Sequence, residues 1–367
     1  MKRIKRIKIR KSSYTGYLIM TVLLVGITMI AGVLIFRFYV DHFTAETDAN
    51  RYDSYYVMIA EDSNTSLWQS IYEGAYEAGL RENSYVDLLN DSFDNNYSKE
   101  DLMRIAIASE VDGIIVAADE SAGMTELIDE AVEAGIPVVT LYGDNTKSRR
   151  CAFVGIGSYD LGREYGREVL QIVREKQELQ VQQTNGQAQV TLTQETGPVK
   201  VAVLVDAHAQ DYGQNILCSG IQETIEKEKK DDTRIELSLV SIDNTNAFFV
   251  EESIRDLFME GELPDIIVCL NELDTTCVYR AAVDYNRVGQ VSILGYYDSE
   301  TILKAIERNV IYATISIDTM QMGSFCVDAL TEYNTLGNTS QYFIADIALI
   351  NRENVSKYIG EVADNDR

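Results

Sequence analysis

The feature that most constrains the fold is the alternation of short apolar segments with helix-length amphipathic segments between residues 55 and 295. Apolar segments of this length are typical of buried strands, and strand–helix alternation is typical of βαβ units in parallel sheets. Nine such strands exceed what one small doubly wound sheet needs, so the sequence predicts an α/β fold with two lobes. The predicted strands are residues 55–60, 86–89, 113–117, 137–141, 152–156, 199–205, 236–242, 265–270 and 292–295.

A Gln- and Thr-rich segment, residues 177–197, interrupts this alternation. Within it, LQVQQTNGQAQVTL alternates on both sides of Asn185-Gly186, and Asn-Gly between alternating residues is a strong local signal for a β-hairpin. We therefore expect a solvent-exposed insertion here, folded as a hairpin.

Twenty residues without a charged side chain, residues 17–36, follow a strongly basic start. At 1.5 Å per residue such a helix covers about 30 Å, roughly the hydrocarbon core of a bilayer. The basic residues predict that residues 1–16 are cytoplasmic, that 37–51 form a linker and that the body is extracytoplasmic. A cleaved signal peptide is the alternative, but the apolar segment is long for one and no small-x-small motif follows it, which favours an uncleaved anchor.

The charge and the cysteines exclude several classes of partner. Seven of the 32 basic residues precede residue 12, whereas all 58 acidic residues follow it, so the body is strongly acidic and is not expected to bind nucleic acid. The cysteines are odd in number, lack short metal-ligand spacing and mostly lie in apolar segments, which predicts buried thiols and no metal site or cofactor. They are Cys151, Cys218, Cys269, Cys277 and Cys326.

Catalytic motifs are missing from the sequence. It contains no G-x-S-x-G, Walker A or H-E-x-x-H pattern, and no G-x-G-x-x-G after the first predicted strand. The one candidate base is His208, with Asp206 and Asp211 nearby, although its position fits a loop at the rim of a cleft better. The sequence predicts a binding protein. A divergent hydrolase-like enzyme and a ligand-independent scaffold are the alternatives.

The only tryptophan, Trp68, directly follows a polar stretch at the end of the first predicted strand. In open α/β sheets, ligands bind in the crevice at the carboxyl ends of the strands, so the indole could line that crevice. Its spacing from Ile71, Ala75 and Ala78 also fits the apolar stripe of the first helix. The spacing alone leaves both interpretations open.

Seven segments, in order and with plausible spacing, resemble periplasmic sugar-binding proteins of type I, in the ribose- and galactose-binding branch. The resemblance covers roughly residues 52–352. It implies two Rossmann-like lobes, 52–157 with 318–344 and 158–317 with 345–367, joined by three crossover strands. The same fold occurs in the effector domains of LacI-like repressors, but a membrane span stands here where such a regulator needs a basic helix-turn-helix. The segments are VMIAEDSNTSLWQSIYEGAYEAG, VDGIIVAADES, AGIPVVTLY, VGIGSYDLGREYGREV, IIVCLNEL, ILGYYDSETILKAI and ATISIDTMQMG.

The resemblance also implies roles for single residues. Trp68 matches an aromatic residue that stacks on the sugar ring, where the C–H face of a pyranose packs on a π surface. Asn64 and Asn271 match asparagines that contact the ligand, although each could instead cap a helix. Tyr296 matches a second aromatic wall.

Charged residues typical of the family are replaced in this chain. Where the family usually has an Asp-Arg pair after the strand PVVTL, this chain has Tyr142-Gly143, with Asp144 displaced by one position. In the second lobe, Asn215 matches an arginine, Tyr297 matches an aspartate that Asp298 follows, and Ile317 matches a glutamine. The resemblance therefore implies a small polar ligand, a sugar or a related compound. The predicted ligand-binding residues are Asn64, Trp68, Tyr142, Asp144, Asn215, Asn271, Tyr296 and Asp298.

Two roles fit a membrane-anchored receptor of this kind. A transport receptor delivers its ligand to an ABC permease, whereas a sensor receptor presents its closed state to a membrane sensor kinase. The unusual pocket and the anchor favour sensing slightly.

Overall fold

The computed structural model describes residues 52–93, 97–185, 197–208, 213–230, 233–259 and 262–359, together with positions 20, 24 and 29. The chain divides into two units, residues 1–54 and 55–367, and the α/β architecture belongs to the second apart from Ser54. No helix among the described residues is long and apolar enough to cross a membrane. Except for the three isolated positions, the predicted span at 17–36 lies outside the described residues.

The first sheet contains six strands in the order β11-β5-β4-β3-β1-β2. The pairings β1–β3, β3–β4, β4–β5 and β5–β11 are parallel. The elements up to β5 are β1 (Ser54–Ile59), α1 (Ser66–Arg81), β2 (Ser84–Leu88), α2 (Leu89–Ser92), α3 (Lys99–Ala108), β3 (Gly113–Val116), α4 (Ala122–Glu133), β4 (Val138–Leu141) and β5 (Ala152–Gly155).

The second sheet also contains six strands, in the order β12-β10-β9-β8-β6-β7. Its pairings are parallel except that β12 runs antiparallel to β10. The remaining elements are α5 (Ser158–Asn185), β6 (Val199–Asp206), α6 (Gly213–Glu228), β7 (Ile235–Ile242), α7 (Ala247–Met259), β8 (Ile266–Val268), α8 (Glu272–Asp284), β9 (Ser292–Tyr296), α9 (Glu300–Glu307), β10 (Ala313–Ile317), α10 (Thr319–Leu336), β11 (Tyr342–Ile344) and β12 (Ile347–Asn351).

The two sheets have the same strand order, which confirms an α/β fold of two parallel-sheet lobes. We call the first sheet with its helices the first lobe and the second sheet with its helices the second lobe. The chain passes between the sheets after β5, after β10 and again between β11 and β12. The sequence predicted parallel sheets, and the antiparallel strand β12 is the exception.

The predicted hairpin is wrong for its first strand. Residues 177–185 are the last turns of the helix α5, and the segment 186–196 lies outside the described residues. Leu, Glu and Gln favour helices, so the alternating pattern did not decide the structure. Asn185-Gly186 stands where α5 ends, and Asn and Gly are common at helix C-termini.

Both lobes contain a helix pair in which two backbones pack directly against each other. A Cβ at Gly74 of α1 would collide with the backbone of Met320 in α10, and a Cβ at Gly162 of α5 would collide with the backbone of Leu217 in α6. The inner strands of both sheets carry buried side chains on both faces; every residue of β3, β4, β8 and β10 is buried. The frame of each lobe is therefore tightly packed on both sides of its sheet.

Candidate ligand-binding cleft

Three aromatic side chains from the two lobes meet at the carboxyl ends of their strands. Trp68 lies in the first turn of α1, Tyr142 directly follows β4, and Tyr296 ends β9. The ring centroids of Trp68 and Tyr142 are 5.9 Å apart, and the hydroxyls of Tyr142 and Tyr296 share a 2.7 Å hydrogen bond. This group bridges the lobes in the region where ligands bind to α/β sheets.

The position of Trp68 is consistent with both interpretations that its spacing left open. Its side chain faces Tyr142, but it is only 6% exposed and extends the buried stripe of α1 that contains Ile71, Ala75 and Ala78. Tyr296 is still more buried, at 1% exposure, and this burial, next to Tyr142, raises the pKa of its hydroxyl. The aromatic group is therefore part of the core as well as of the cleft.

A second set of contacts joins the lobes through polar side chains. The Ser66 hydroxyl, at the start of α1, donates to the Glu272 carboxylate at the start of α8, with oxygen–oxygen distances of 3.3 and 3.4 Å. Tyr297 lies beside this pair: burial raises the pKa of its hydroxyl, and so do the charges of Asp298 and Glu272. We call Ser66, Trp68, Tyr142, Glu272, Tyr296 and Tyr297 the cleft cluster.

Tyr142 and Tyr297 occupy equivalent positions and share an unusual backbone. Both have a left-handed conformation, with φ of 66° and 72°, which is rare for a bulky residue. Each N–H donates to the neighbouring strand at 2.9 Å, Tyr142 to Val154 and Tyr297 to Ile315. Such a conformation costs on the order of 1–3 kcal/mol and is often found at functional sites. Each lobe thus places one tyrosine of this kind at the same edge of its sheet.

Asn271 caps the helix that carries Glu272. Its side-chain oxygen accepts from the Asp274 N–H at 2.7 Å, and its side-chain nitrogen donates to the Asp274 carboxylate at 2.8 Å. This is the helix-capping alternative that the sequence left open. Asp274 is fully buried, and burial raises the pKa of its carboxyl group to about 6. Its Oδ1 atom has no hydrogen-bond partner among the described residues.

Asp144 lies outside the cleft cluster. Its carboxylate accepts from the Thr140 hydroxyl at 2.9 Å and binds Arg150, whose Nη2 is 2.7 Å from Oδ2. Arg150 in turn stacks on Tyr342 and donates to the Gln341 carbonyl. The aspartate displaced from the family position is therefore neutralised within the first lobe.

The other predicted residues lie nearer the surface. Asn64 is exposed, and its side chain donates to Asp62 on the same loop. Asn215 is exposed near the start of α6. Asp298 is half-buried and accepts a 2.7 Å hydrogen bond from Ser316. His208, the candidate base, is exposed, with its ring 3.5 Å from the Asp243 carboxylate.

Three members of the cleft cluster are not among the predicted ligand-binding residues: Ser66, Glu272 and Tyr297. Ser66 lies in a polar stretch without a motif, Tyr297 was noted only for replacing a family aspartate, and Glu272 directly follows the predicted Asn271. The signal for Glu272 was available, since this residue directly follows the cap of a helix that begins after a strand. A cavity of about 270 Å³ lies elsewhere, between α7 and α8, and no residue of the cleft cluster lines it.

Two α/β lobes of equal strand order, with aromatic residues meeting at the carboxyl ends of their strands, define a two-lobed binding protein. The chain belongs to the periplasmic binding protein domain family, whose profile matches residues 55–338. Members of this family are binding proteins. No curated protein matches the sequence.

Solved structures share the fold. XylFII in a complex with LytSN has a TM-score of 0.64 at 22% identity, covering 82% of this chain and 98% of that one. GanP, a glucose-galactose binding protein from Geobacillus stearothermophilus, has a TM-score of 0.65 at 18% identity, with the same coverage. An ABC transporter solute-binding protein from Burkholderia graminis, in complex with D-arabinose, reaches 0.68 at 15% identity, covering 84% and 98%.

Proposed function

We propose that this chain is an extracytoplasmic receptor, anchored by residues 17–36, that binds a small sugar-like ligand between its lobes and has no catalytic role. The observation that carries the proposal is the meeting of Trp68, Tyr142 and Tyr296 at the carboxyl ends of both sheets. Aromatic rings pack on the C–H face of a sugar, while its hydroxyls pair with polar groups around them. The sugar ligands of GanP and of the Burkholderia protein support the same ligand class.

For the lobes themselves we propose residues 52–157 with 318–344 and residues 158–317 with 345–367. The packing of α10 on α1 and the pairing of β11 with β5 support the first. The pairing of β12 with β10 supports the second.

Ligand binding is tested by thermal unfolding of the full chain in detergent, with a panel of sugars, polyols and nucleosides. A ligand that binds only the folded state at 100 times its Kd adds about 2.7 kcal/mol to the free energy of unfolding, which raises Tm. Because Trp68 is the only tryptophan, the same compound should change the intrinsic fluorescence. If no compound changes Tm or fluorescence, the ligand-independent scaffold becomes the better function.

Within this function, sensing and transport require different partner proteins. The XylFII–LytSN complex supports docking of a second protein on this fold, and the ABC transporter protein supports delivery to a permease. We favour sensing, with a membrane sensor kinase as the partner. Deleting the chain should then abolish ligand-induced gene expression and leave ligand uptake intact. Lost uptake would identify a transport receptor.

A further inference from the structure

The cleft cluster contains one carboxylate, that of Glu272, which no cation among the described residues neutralises. Glu272 accepts from the Ser66 hydroxyl, and it forms no ion pair with any residue in the part of the chain that the structure describes. Its negative charge lies close enough to Tyr297 to raise the pKa of that hydroxyl, after burial and Asp298. Tyr297 therefore shares its site with a carboxylate that has no cationic partner among the described residues.

Four carboxylates at the equivalent edge of the first lobe are paired with cations. Lys99 pairs with Glu61 and lies 3.8 Å from Asp119, and Arg150 pairs with Asp144. Lys147 lies 3.8 Å from Glu120. These acids are paired with cations of their own lobe, whereas the one carboxylate of the cleft cluster, that of Glu272, comes from the second lobe.

Aromatic faces add to the same electrostatic preference. The face of an indole or phenol ring carries partial negative charge and attracts an ammonium group within about 6 Å of its centroid. An ammonium group would also form a charge-assisted hydrogen bond with Glu272, which is stronger than a bond from a neutral hydroxyl. Both effects favour a positively charged ligand over a neutral sugar of the same shape.

We propose that the ligand of this cleft carries an amine, as an amino sugar or another hydroxylated ammonium compound does, and that Glu272 determines this specificity. The proposal rests on the proposed function, because it takes the cleft as the ligand site. Glu272 binds the ammonium group, and the aromatic residues of the cluster pack against the ring that carries it.

A purely structural role for Glu272 makes a different prediction. As the first residue of α8, its charge stabilises the positive end of the helix dipole. In that case Glu272→Gln lowers stability slightly and leaves ligand preference unchanged. Glu300 offers a matched control, since it begins α9 in the same lobe, pairs with Lys304 and lies outside the cluster.

The test compares glucosamine, glucose and N-acetylglucosamine, and the corresponding galactose set, by titration calorimetry of the full chain at pH 6 and low salt. At this pH the amines are protonated. The parent hexoses keep nearly the same size without the charge, and the N-acetyl forms keep the nitrogen without the charge but are larger. We expect the amine of one set to bind at least tenfold more tightly than its neutral partners. Glu272→Gln should remove that preference, and Glu300→Gln should keep it.

Equal or tighter binding of a neutral or N-acetyl form would overturn the proposal and leave the proposed function intact. Retention of the amine preference in Glu272→Gln would overturn the role of Glu272. Failure of every compound in both sets, with no change in Trp68 fluorescence, would count against the cleft as a sugar site and so against both proposals.

Discussion

The two lobes repeat one arrangement of strands and helices but contribute different side chains to the cleft. Both have a capped helix after the third strand along the chain: Ser121 caps α4 and Asn271 caps α8. The first helical residue is Ala122 in the first lobe and Glu272 in the second. Each lobe contributes two aromatic residues to the cleft cluster, but only the second lobe also contributes a carboxylate, that of Glu272.

The third helical residue repeats this contrast inside the protein. It is Met124 in α4 and Asp274 in α8, and both side chains are fully buried. A methionine at this position packs into the core at no electrostatic cost, whereas a carboxylate there loses its hydration. The second lobe therefore carries charge both at the cleft and behind it.

The largest expected effect tests the aromatic contribution of the first lobe. Trp68→Ala should lower the free energy of unfolding by about 3–5 kcal/mol, because the indole is buried in the apolar stripe of α1 and contacts Tyr142. It should also weaken ligand binding by roughly 100-fold, or about 2.7 kcal/mol. Urea unfolding followed by circular dichroism measures the first quantity.

Tyr97→Ala is the control for this measurement, since Tyr97 is an exposed aromatic residue of the same lobe. Its substitution should cost less than about 1 kcal/mol. A loss from Trp68→Ala as small as that of the control would mean that the indole does not belong to the core.

The shared frame is tested next. Gly74→Ala in the first lobe and Gly162→Ala in the second should each lower stability by about 3 kcal/mol, because the added methyl group meets the backbone of the partner helix. Gly123→Ala in α4, where a Cβ meets no atom within 4 Å, should be neutral or stabilising by up to about 1 kcal/mol. Unequal losses in the two lobes, measured by urea unfolding, would break the equivalence.

A pH-dependent difference should mark the second lobe. The pKa of Asp274 is raised from 3.8 to about 6. Between these two pH values the carboxyl group is therefore mostly protonated in the folded chain and mostly ionised in the unfolded chain. The cost of the buried charge is thus fully present above pH 6 and is lost as pH falls from 6 towards 4. Asp274→Asn should stabilise the protein by about 2 kcal/mol at pH 7.5 and much less at pH 4.5.

Two urea titrations, one at each pH, measure this effect. Asp284→Asn, at the exposed end of the same helix, is the control and should show no comparable change with pH. The same stabilisation by Asp274→Asn at both pH values would show that the carboxyl group is not titrating in this range.

The smallest effect concerns the hydrogen bond that joins the lobes. Tyr142→Phe and Tyr296→Phe each remove one hydroxyl from the 2.7 Å contact and should each cost about 1 kcal/mol. The double variant should cost less than the sum of the two single losses, because both substitutions remove the same bond. Additive losses in unfolding titrations would show that the hydroxyls act independently.

The sequence predicted the fold well because the strands are short, apolar and separated by helices. Residues 113–117 were expected and Gly113–Val116 is found, and the other predicted strands differ by similar amounts. The hairpin failed because Asn-Gly serves equally as a turn and as a helix end. The helix propensity of Leu, Glu and Gln favours the helix end here.

The site was predicted only in part. Trp68, Tyr142 and Tyr296 each lie at or just after the end of a predicted strand. Because parallel strands have their carboxyl ends at the same edge of a sheet, the sequence could place these residues near the cleft. The partners could not be read from the sequence: Asp144 pairs with an arginine six positions away, and Tyr142 bonds a tyrosine 154 positions away. Both choices depend on how the loops fold against each other.

The left-handed backbones at Tyr142 and Tyr297 have a consequence for directed evolution. Glycine, asparagine and aspartate adopt this conformation most readily, and none of them carries an aromatic ring. A library at these two codons selected for thermal stability should therefore drift towards those three residues. The same library selected for ligand binding should retain tyrosine. Two selections on one gene would therefore separate the requirements of folding stability from those of ligand binding.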